Sequence, residues 1–544
     1  MFFSAGFLNG VSKGMQGKWQ NWRRVWQRGL LGPGLLLTWS GVILALGGLR
    51  WLGTQPGWTW WSGLLVVVLI GLVGRLLRLL NEAFTGQTTG SLYWRDHGVA
   101  TIGLMLMGLI LALPWGLWGL SSRLLARLPL PALWVNWVGL NRRPVLGVVA
   151  IIYLFLLAWG VLWGPRHLKL TPVGRRGRPG QMLGAVIVQA LLLLGWLLVS
   201  LAVIWLNRRL VPATPATLKM LTGGSMLLIL LGYTGATMLG LITLAWSWCG
   251  RPRVVALPSR ERPRWYWWVL GLCWLGVSGL VVSQAVHQPD RFGPTLLISH
   301  RGVDHERGVQ NTLSALRTVH HERPAYVEMD LHETKDQHWV VLHDENLRQL
   351  AGRRQTPRQL TSRQLAGLTV HENGQSDRLV TWPEYLRVAE ALKQPLLVEL
   401  KTTPQDSPGM VRQFAEQYGA RLSRDGSAVH SLDYRVVAQL RHRVPGLRVG
   451  YITPFNWVAP KSVPADFYSF QRLSVSDQFI AAAHQAHVPA YLWTPDSVDA
   501  MTRLWALGAD GQITNELSRL RRVVNGKSQS AWWAVLMNFT LSYI

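Results

Sequence analysis

The chain has 544 residues, of which 49% are hydrophobic and only 15% charged, with 30 Trp and a formal charge of +27 from 55 Lys+Arg against 28 Asp+Glu. The charge alone points to nucleic acid, but this apolar content excludes a basic soluble nucleic-acid binder and a disordered chain. The length predicts two or more domains.

Charge divides the chain near residue 290. Residues 1–292 hold 27 Lys+Arg and four acids, Glu82, Asp96, Glu261 and Asp290; residues 293–544 hold 28 Lys+Arg and 24 acids. The cysteines, Cys249 and Cys273, both lie in the first part, so the second part needs no disulfide and no thiolate metal site.

Taken in chain order, residues 13–28 place Trp19, Trp22 and Trp26 on one helical face beside Lys18, Arg23, Arg24 and Arg28, the pattern of a helix lying among lipid headgroups. No apolar core with a small-residue cleavage site precedes it. Uncharged apolar stretches follow near 30–49, 58–74, 98–119, 145–164, 183–206, 221–247 and 267–286. Most reach the roughly 20 residues that cross a bilayer as a helix. Residues 128–141 are apolar but short and interrupted by proline, and read as an interfacial or re-entrant piece. A membrane domain over 1–290 with about seven spans is expected. Loops on the N-terminal side carry 18 Lys/Arg and the alternate loops 8, which predicts a cytoplasmic N-terminus. Seven crossings then place everything after residue 290 outside a cell membrane. The spans carry essentially no charge, which disfavours a transporter and leaves an anchor or lipid-facing scaffold.

From 295 the pattern alternates. Runs at 295–300, 326–334, 338–344, 395–403, 428–433, 447–452, 489–494 and 510–515 read as strands, and 311–322, 383–392, 476–487 and 497–508 as helices, with Asn311 or Thr312 placed to cap the first. This alternation predicts a parallel sheet, and its length and repeat number an eight-stranded α/β barrel over 291–525. No Gly-rich loop follows the first strand, which disfavours a dinucleotide-binding open sheet. Residues 526–544 form an apolar tail too short to span a bilayer, packing on the barrel or lying at the membrane surface.

Polar residues recur at the C-terminal ends of the strands: His300-Arg301, Glu328 and Asp330, His343-Asp344, Glu399 and Lys401, Ser431, Trp493-Thr494. In a barrel these ends converge on one face. Glu328 and Asp330 are two apart on a strand and share a face, as do Glu399 and Lys401. Three carboxylates facing one cavity repel unless a cation sits among them, and hard oxygen ligands suit Mg²⁺, Ca²⁺ or Mn²⁺ better than zinc. His300 and His343 form a candidate acid–base pair. With Arg301 and Lys401 as cationic clamps, the set suits phosphoryl-transfer chemistry on an anionic phosphodiester. Asp304-His305-Glu306 reads as a solvated loop and His320-His321 as peripheral.

His300-Arg301-Gly302, Glu328-x-Asp330, His343-Asp344, Glu399-Leu-Lys401 and Asp510-Gly511-x-Ile-Thr514 together resemble the glycerophosphodiester phosphodiesterase signature over about 295–522. The multispan first half resembles the membrane-anchored branch of that family in Gram-positive bacteria. The resemblance implies a TIM barrel that hydrolyses glycerophosphodiesters to an alcohol and glycerol 3-phosphate. Glu328, Asp330 and Glu399 would hold one divalent cation, His300 and His343 would act as acid and base, and Arg301 and Lys401 would contact phosphate. Where many members have Pro-Glu-Asn-Thr, this chain has Val309-Gln310-Asn311-Thr312, so Gln310 takes a carboxylate's place as a substrate-binding candidate; Trp493 at the mouth is another. The expected partners are a glycerophosphodiester substrate and membrane lipids, with no nucleic acid and no evident protein partner. Two other readings stand beside this one: phospholipase D-like hydrolysis of intact lipids, and a non-catalytic barrel that only binds glycerophosphate groups.

Overall fold

The computed structural model describes residues 33–52, 59–85, 93–112, 130–162, 178–210, 214–248, 265–287, 291–305, 307–453, 463–526 and 528–543. The basic, Trp-bearing helix expected at 13–28 lies outside them.

The first half is a helical bundle: α1 (Pro33–Leu52), α2 (Thr59–Thr85), α3 (Tyr93–Ala112), α4 (Ala132–Leu140), α5 (Arg142–Leu162), α6 (Pro179–Arg209), α7 (Pro215–Trp248) and α8 (Trp265–Val286). The described part of each of the seven apolar stretches falls on one long helix, and that of 128–141 largely on the short α4. Among the described residues four helices, α2, α5, α6 and α7, are long and apolar enough to cross a membrane by length and composition. Leu, Val and Ile surround these helices on nearly every side, so only a fraction of their apolar surface is covered by neighbours. Ile151, Phe155 and Leu198 stand 68%, 67% and 59% exposed.

The second half is a closed barrel. Its strands are β1 (Leu296–Ser299), β2 (Tyr326–Glu333), β6 (Leu396–Leu400), β7 (Ala428–Ser431), β8 (Arg448–Thr453), β9 (Phe467–Gln471), β10 (Ala490–Trp493) and β11 (Gly511–Thr514). Adjacent strands run parallel, and β1 closes the ring by pairing with both β2 and β11. Three further strands lie outside the ring. β3 (Trp339–Val341) pairs antiparallel with the end of β2, and β4 (Thr369–Glu372) and β5 (Gln375–Arg378) form a hairpin. The helices between strands include α9 (Leu313–His320), α10 (Trp382–Leu392), α11 (Tyr434–Arg443), α12 (Asp477–Gln485), α13 (Val498–Leu507) and α14 (Leu517–Val524).

One strand expectation is corrected. The run at 338–344 is not a barrel stave: four residues after β2, the chain can only turn back and pair antiparallel. The vacant place is taken by Phe467–Gln471, which the sequence reading passed over. Its Phe467-Tyr468-Ser469-Phe470 presents bulk on both faces, so period-2 alternation is weak there.

Period-2 alternation builds two layers elsewhere. Outward residues Val327, Met329, Val398 and Val429 pack beneath the helices. Inward residues Ile298, Leu397, Ala428, Phe467, Tyr491 and Ile513 fill the N-terminal half of the barrel. Gly450 of β8 leaves the room this filling needs, since a Cβ there would meet the Phe467 ring at 2.2 Å. Arg448 closes the floor by donating to the hydroxyls of Tyr326 and Tyr491. Two residues further along most strands the inward side chains become polar, as at His300, Glu328, Glu399, His430 and Ser469, whereas β8 and β10 place Ile452 and Trp493 there; that change locates the site.

The two halves meet at two seams. The apolar tail forms α15 (Trp532–Leu541), which packs between α6, α7 and α13. Arg50 stacks 4.0 Å from the Tyr543 ring, and Arg208 pairs with Asp499 at 2.9 Å. At the second seam α4 lies on α11: Val135 joins the barrel core, and the Asn136 amide donates to Asp433 and accepts from the Tyr434 N–H.

Candidate active site

The inward carboxylates are placed by register. Asp330 of β2 lies opposite Glu399 of β6, and Glu399 opposite His430 of β7. Glu328, Asp330, Glu399 and His430 are all buried. One oxygen each of Glu328 and Glu399 and one ring nitrogen of His430 lie within 4.8 Å of one another. Burial pushes Glu328 well above the ordinary carboxylate range, and the charges of Asp330 and Glu399 add to it. Burial also raises Glu399, against the pull of Lys401.

Asp330 sits differently. Its Oδ1 lies 2.9 Å from Lys401 Nζ and its Oδ2 accepts from the Asn311 amide at 3.0 Å. Burial alone would raise it, but Lys401 and Arg301 hold it well below the usual range. Lys401 also reaches Glu399 Oε1 at 2.7 Å, so it bridges two carboxylates. A clamp on substrate phosphate would have to draw on this same amine.

His300 follows β1. The Asn515 amide nitrogen donates to Asp496, so its Oδ1 faces His300 and accepts from Nδ1–H at 2.7 Å. That leaves the His300 Nε2 lone pair directed inward, 3.9 Å from Glu328. Burial, reinforced by Arg301, lowers His300 to about 3 and keeps it neutral. The next residues turn sharply, with φ of 53° at Arg301 and 74° at Gly302. The left-handed value is unusual for Arg, and here the Arg301 N–H donates to Glu328 while its carbonyl accepts from the Asn311 N–H. The Arg301 guanidinium donates to Gln310 Oε1 at 2.6 Å.

Gln310 is tied in turn to Glu372 of the β4–β5 hairpin, through its backbone N–H at 2.8 Å and its side-chain amide. The hairpin thus brings a carboxylate to the rim beside Gln310. Thr312 caps α9 by accepting from the Ala315 N–H. His343 lies two residues past β3 on the extension that β2 and β3 raise above the rim. Its Nδ1 bonds Asp344 at 2.9 Å, leaving Nε2 for the cavity. That hydrogen bond keeps the Asp344 carboxyl below its usual range. Trp493 ends β10 and lines the same pocket as His300, Glu328, Glu399, Lys401 and His430.

All nine candidates named from sequence therefore gather at one end of the barrel, seven of them around that pocket, with Asp330 behind Lys401 and Gln310 behind Arg301. Two residues were missed. His430 sits mid-run in Ala428–Ser431, one residue before the polar strand end at Ser431; the same alternation that paired Glu399 with Lys401 puts His430 on the inward face. Ser469 fixes its Nδ1 at 3.1 Å, and its Nε2 has no hydrogen-bond partner. His332, buried and lowered to about 4 by burial, bonds the His343 carbonyl. Asp304 and His305 of the loop expected to be solvated are half-buried instead, with Asp304 accepting from the Ser518 N–H and His305 paired with Glu516; Glu306 lies outside the described residues. His320 is peripheral and bonds Gln394.

A family model described as Glycerophosphoryl diester phosphodiesterase family matches residues 300–519. The barrel is a domain of this family. Among curated proteins, the glycerophosphodiester phosphodiesterase of Caldanaerobacter subterraneus subsp. tengcongensis is 22% identical over 238 residues, covering 42% of this chain and 98% of its own. That of Bacillus altitudinis is 24% identical, covering 41% and 94%. Among solved structures, a glycerophosphodiester phosphodiesterase from Parabacteroides distasonis aligns with a TM-score of 0.38 at 21% identity, covering 42% of this chain and 97% of its own. An Oleispira antarctica phosphodiesterase in complex with the product sn-glycerol-3-phosphate aligns at 0.37 and 15%, covering 43% and 98%.

Proposed function

We propose that the barrel hydrolyses glycerophosphodiesters to an alcohol and glycerol 3-phosphate, held to a cell membrane by the helical half. One observation carries the reading. In a domain of this family, two histidines with free Nε2 atoms flank a buried pair of carboxylates, with a lysine and an arginine alongside.

The site suits a cation. Glu328 and Glu399 are buried acids pushed upward by burial and by neighbouring carboxylates, and His430 Nε2 has no hydrogen-bond partner. Glu328, Glu399 and His430 would hold one divalent ion, Mg²⁺, Ca²⁺ or Mn²⁺, with Asp330 acting through Lys401. When bound, such an ion neutralises charge on the phosphate oxygens. His300, neutral and fixed by Asn515, accepts the nucleophile's proton at Nε2. His343, held by Asp344, returns a proton to the leaving alcohol at Nε2. Arg301 and Lys401 orient the phosphate, Gln310 sets Arg301, and Trp493 walls the pocket.

The apolar outer surfaces of α2, α5, α6 and α7 support membrane anchoring, and the loop charges support an outward barrel. The domain limits 1–290, 291–525 and 526–544 belong to the same reading. The experiment uses the full chain in detergent, stripped by chelator, with glycerophosphoglycerol and single divalent ions added back. Metal-dependent release of glycerol 3-phosphate is expected; release unaffected by chelator, or none with any ion, overturns the reading. For topology, S376C in a cysteine-free background should label in intact cells.

A further inference from the structure

The active-site cavity is not made by the barrel alone. α4 is pinned to the strand ends of β7 and β8: Val135 and Val138 are buried, Asn136 is bonded to Asp433 and Tyr434, and a Cβ at Gly139 would stand 3.6 Å from the Tyr451 hydroxyl. Its opposite face exposes Leu133, Trp134 and Trp137. Asn141 then breaks the helix, and α5, long and apolar enough to span a bilayer, starts at Arg142. This junction delivers Arg142 into the pocket shared by His300, Arg301, His343 and Lys401. Arg142 and Arg143 also line an adjoining cavity of about 850 Å³, together with His343, Glu345 and Thr402.

The charges in this space are unequal. Lys401 is held by Asp330 and Glu399, and Arg301 by Gln310 near Asp330. Arg435 is held by Asp433. Asp344 is engaged by His343. Among the described residues no carboxylate pairs with Arg142 or Arg143, although Glu345 lines the same cavity. Two arginines that line a cavity without partners lower the energy of an anion placed there. The scissile phosphate is served at the inner pocket by the barrel's own groups; Arg142 lines both that pocket and the adjoining cavity and Arg143 the adjoining cavity alone, so the pair is placed to meet an anion attached beyond the scissile phosphate.

Resting on the reading above, we infer that Arg142, supplied by the helical half, is a specificity-determining residue of the barrel's site, and that the substrate is a glycerophosphodiester whose alcohol portion carries a second phosphate. Arg142 binds that phosphate, Arg143 adds to it, and Asn136 is the positioning residue that holds the junction over the mouth. The second phosphate belongs either to a water-soluble diester or to a lipid headgroup.

The full chain in detergent is given glycerophosphoinositol and glycerophosphoinositol 4-phosphate, which differ by one phosphate. The native chain should prefer the phosphorylated diester in kcat/KM by about tenfold, mainly through KM, the scale of one charge-assisted hydrogen bond. R142A should remove most of that preference while lowering turnover of the unphosphorylated diester far less. N136D, which sets a carboxylate against Asp433, should also weaken the preference with every barrel residue intact; a melting curve checks that each variant is folded. Phosphatidylinositol and its 4-phosphate in phosphatidylcholine vesicles form a second arm. The preference in the soluble arm assigns a water-borne substrate, and in the vesicle arm a bilayer one. Equal rates for both members of each pair, or equal losses on both in R142A, overturn the inference. Turnover of glycerophosphoglycerol but of none of these four also overturns the inference, whereas turnover of none of the five overturns the activity itself.

Discussion

The two halves of this chain use the same apolar residues in opposite directions. In the barrel they point inward or under helices: Val327, Leu397 and Val398 are 0% exposed. In the bundle Ile151, Phe155 and Leu198 point out. Water drives the first arrangement. The second suits a solvent as apolar as the side chains, and α2, α5, α6 and α7 are long and apolar enough to cross one. Polar groups follow the inverse rule. The bundle half carries four acids, whereas the barrel half carries 24 and buries several at one end. A folded core accepts charges where they form a paired set, and here that set is the site.

The largest effect should come from removing part of it. E399Q leaves the barrel core untouched but takes away one member of the carboxylate–imidazole group, so divalent-ion binding by calorimetry should disappear and turnover should fall by about 10³-fold, the range of a directly acting group. Retained ion binding would put the cation elsewhere. L397A opens a cavity in the barrel's inner layer and should cost about 2–5 kcal/mol in denaturant unfolding; a smaller loss would mean that the layer is not close-packed. I151R tests the other half. In a bilayer-facing position an arginine costs about 2.5–3.5 kcal/mol by insertion assay, whereas on a water-facing surface it would be neutral and would erase the contrast. The smallest effect is a proton. Glu328 and Glu399 both lie above the ordinary carboxylate range, so the metal-free protein retains protons there that a cation must displace. Titration of the stripped chain with Mg²⁺, Ca²⁺ or Mn²⁺ in buffers of different ionisation heat should show proton release that grows as pH falls. Heats independent of the buffer would contradict the raised values.

Most of the barrel could be read from the sequence because its strands alternate and its polar residues fall at strand ends. Glu328-x-Asp330 and Glu399-x-Lys401 are legible for that reason. Phe467–Gln471 was hidden because its aromatic residues do not alternate with polar ones. His343 was legible as a residue but not as a position: it rises on an antiparallel extension rather than closing a stave. His430 was overlooked because an inward histidine within an apolar strand looks like core until its neighbours in register are known. Arg142 carried no local signal at all. Its place depends on α4 docking through Asn136 onto Asp433, a contact between residues 297 apart in the chain. Pairings at that distance are set by how two domains sit together, which periodicity does not report.

His300 is the most direct test of the claim that this end of the barrel performs the hydrolysis. Its Nε2 is held inward by Asn515 and it stays neutral through burial. H300A in the full chain, at saturating divalent ion and with an unchanged melting curve, is predicted to release glycerol 3-phosphate at least about 10²-fold more slowly than the native chain. Release at the native rate would contradict the account.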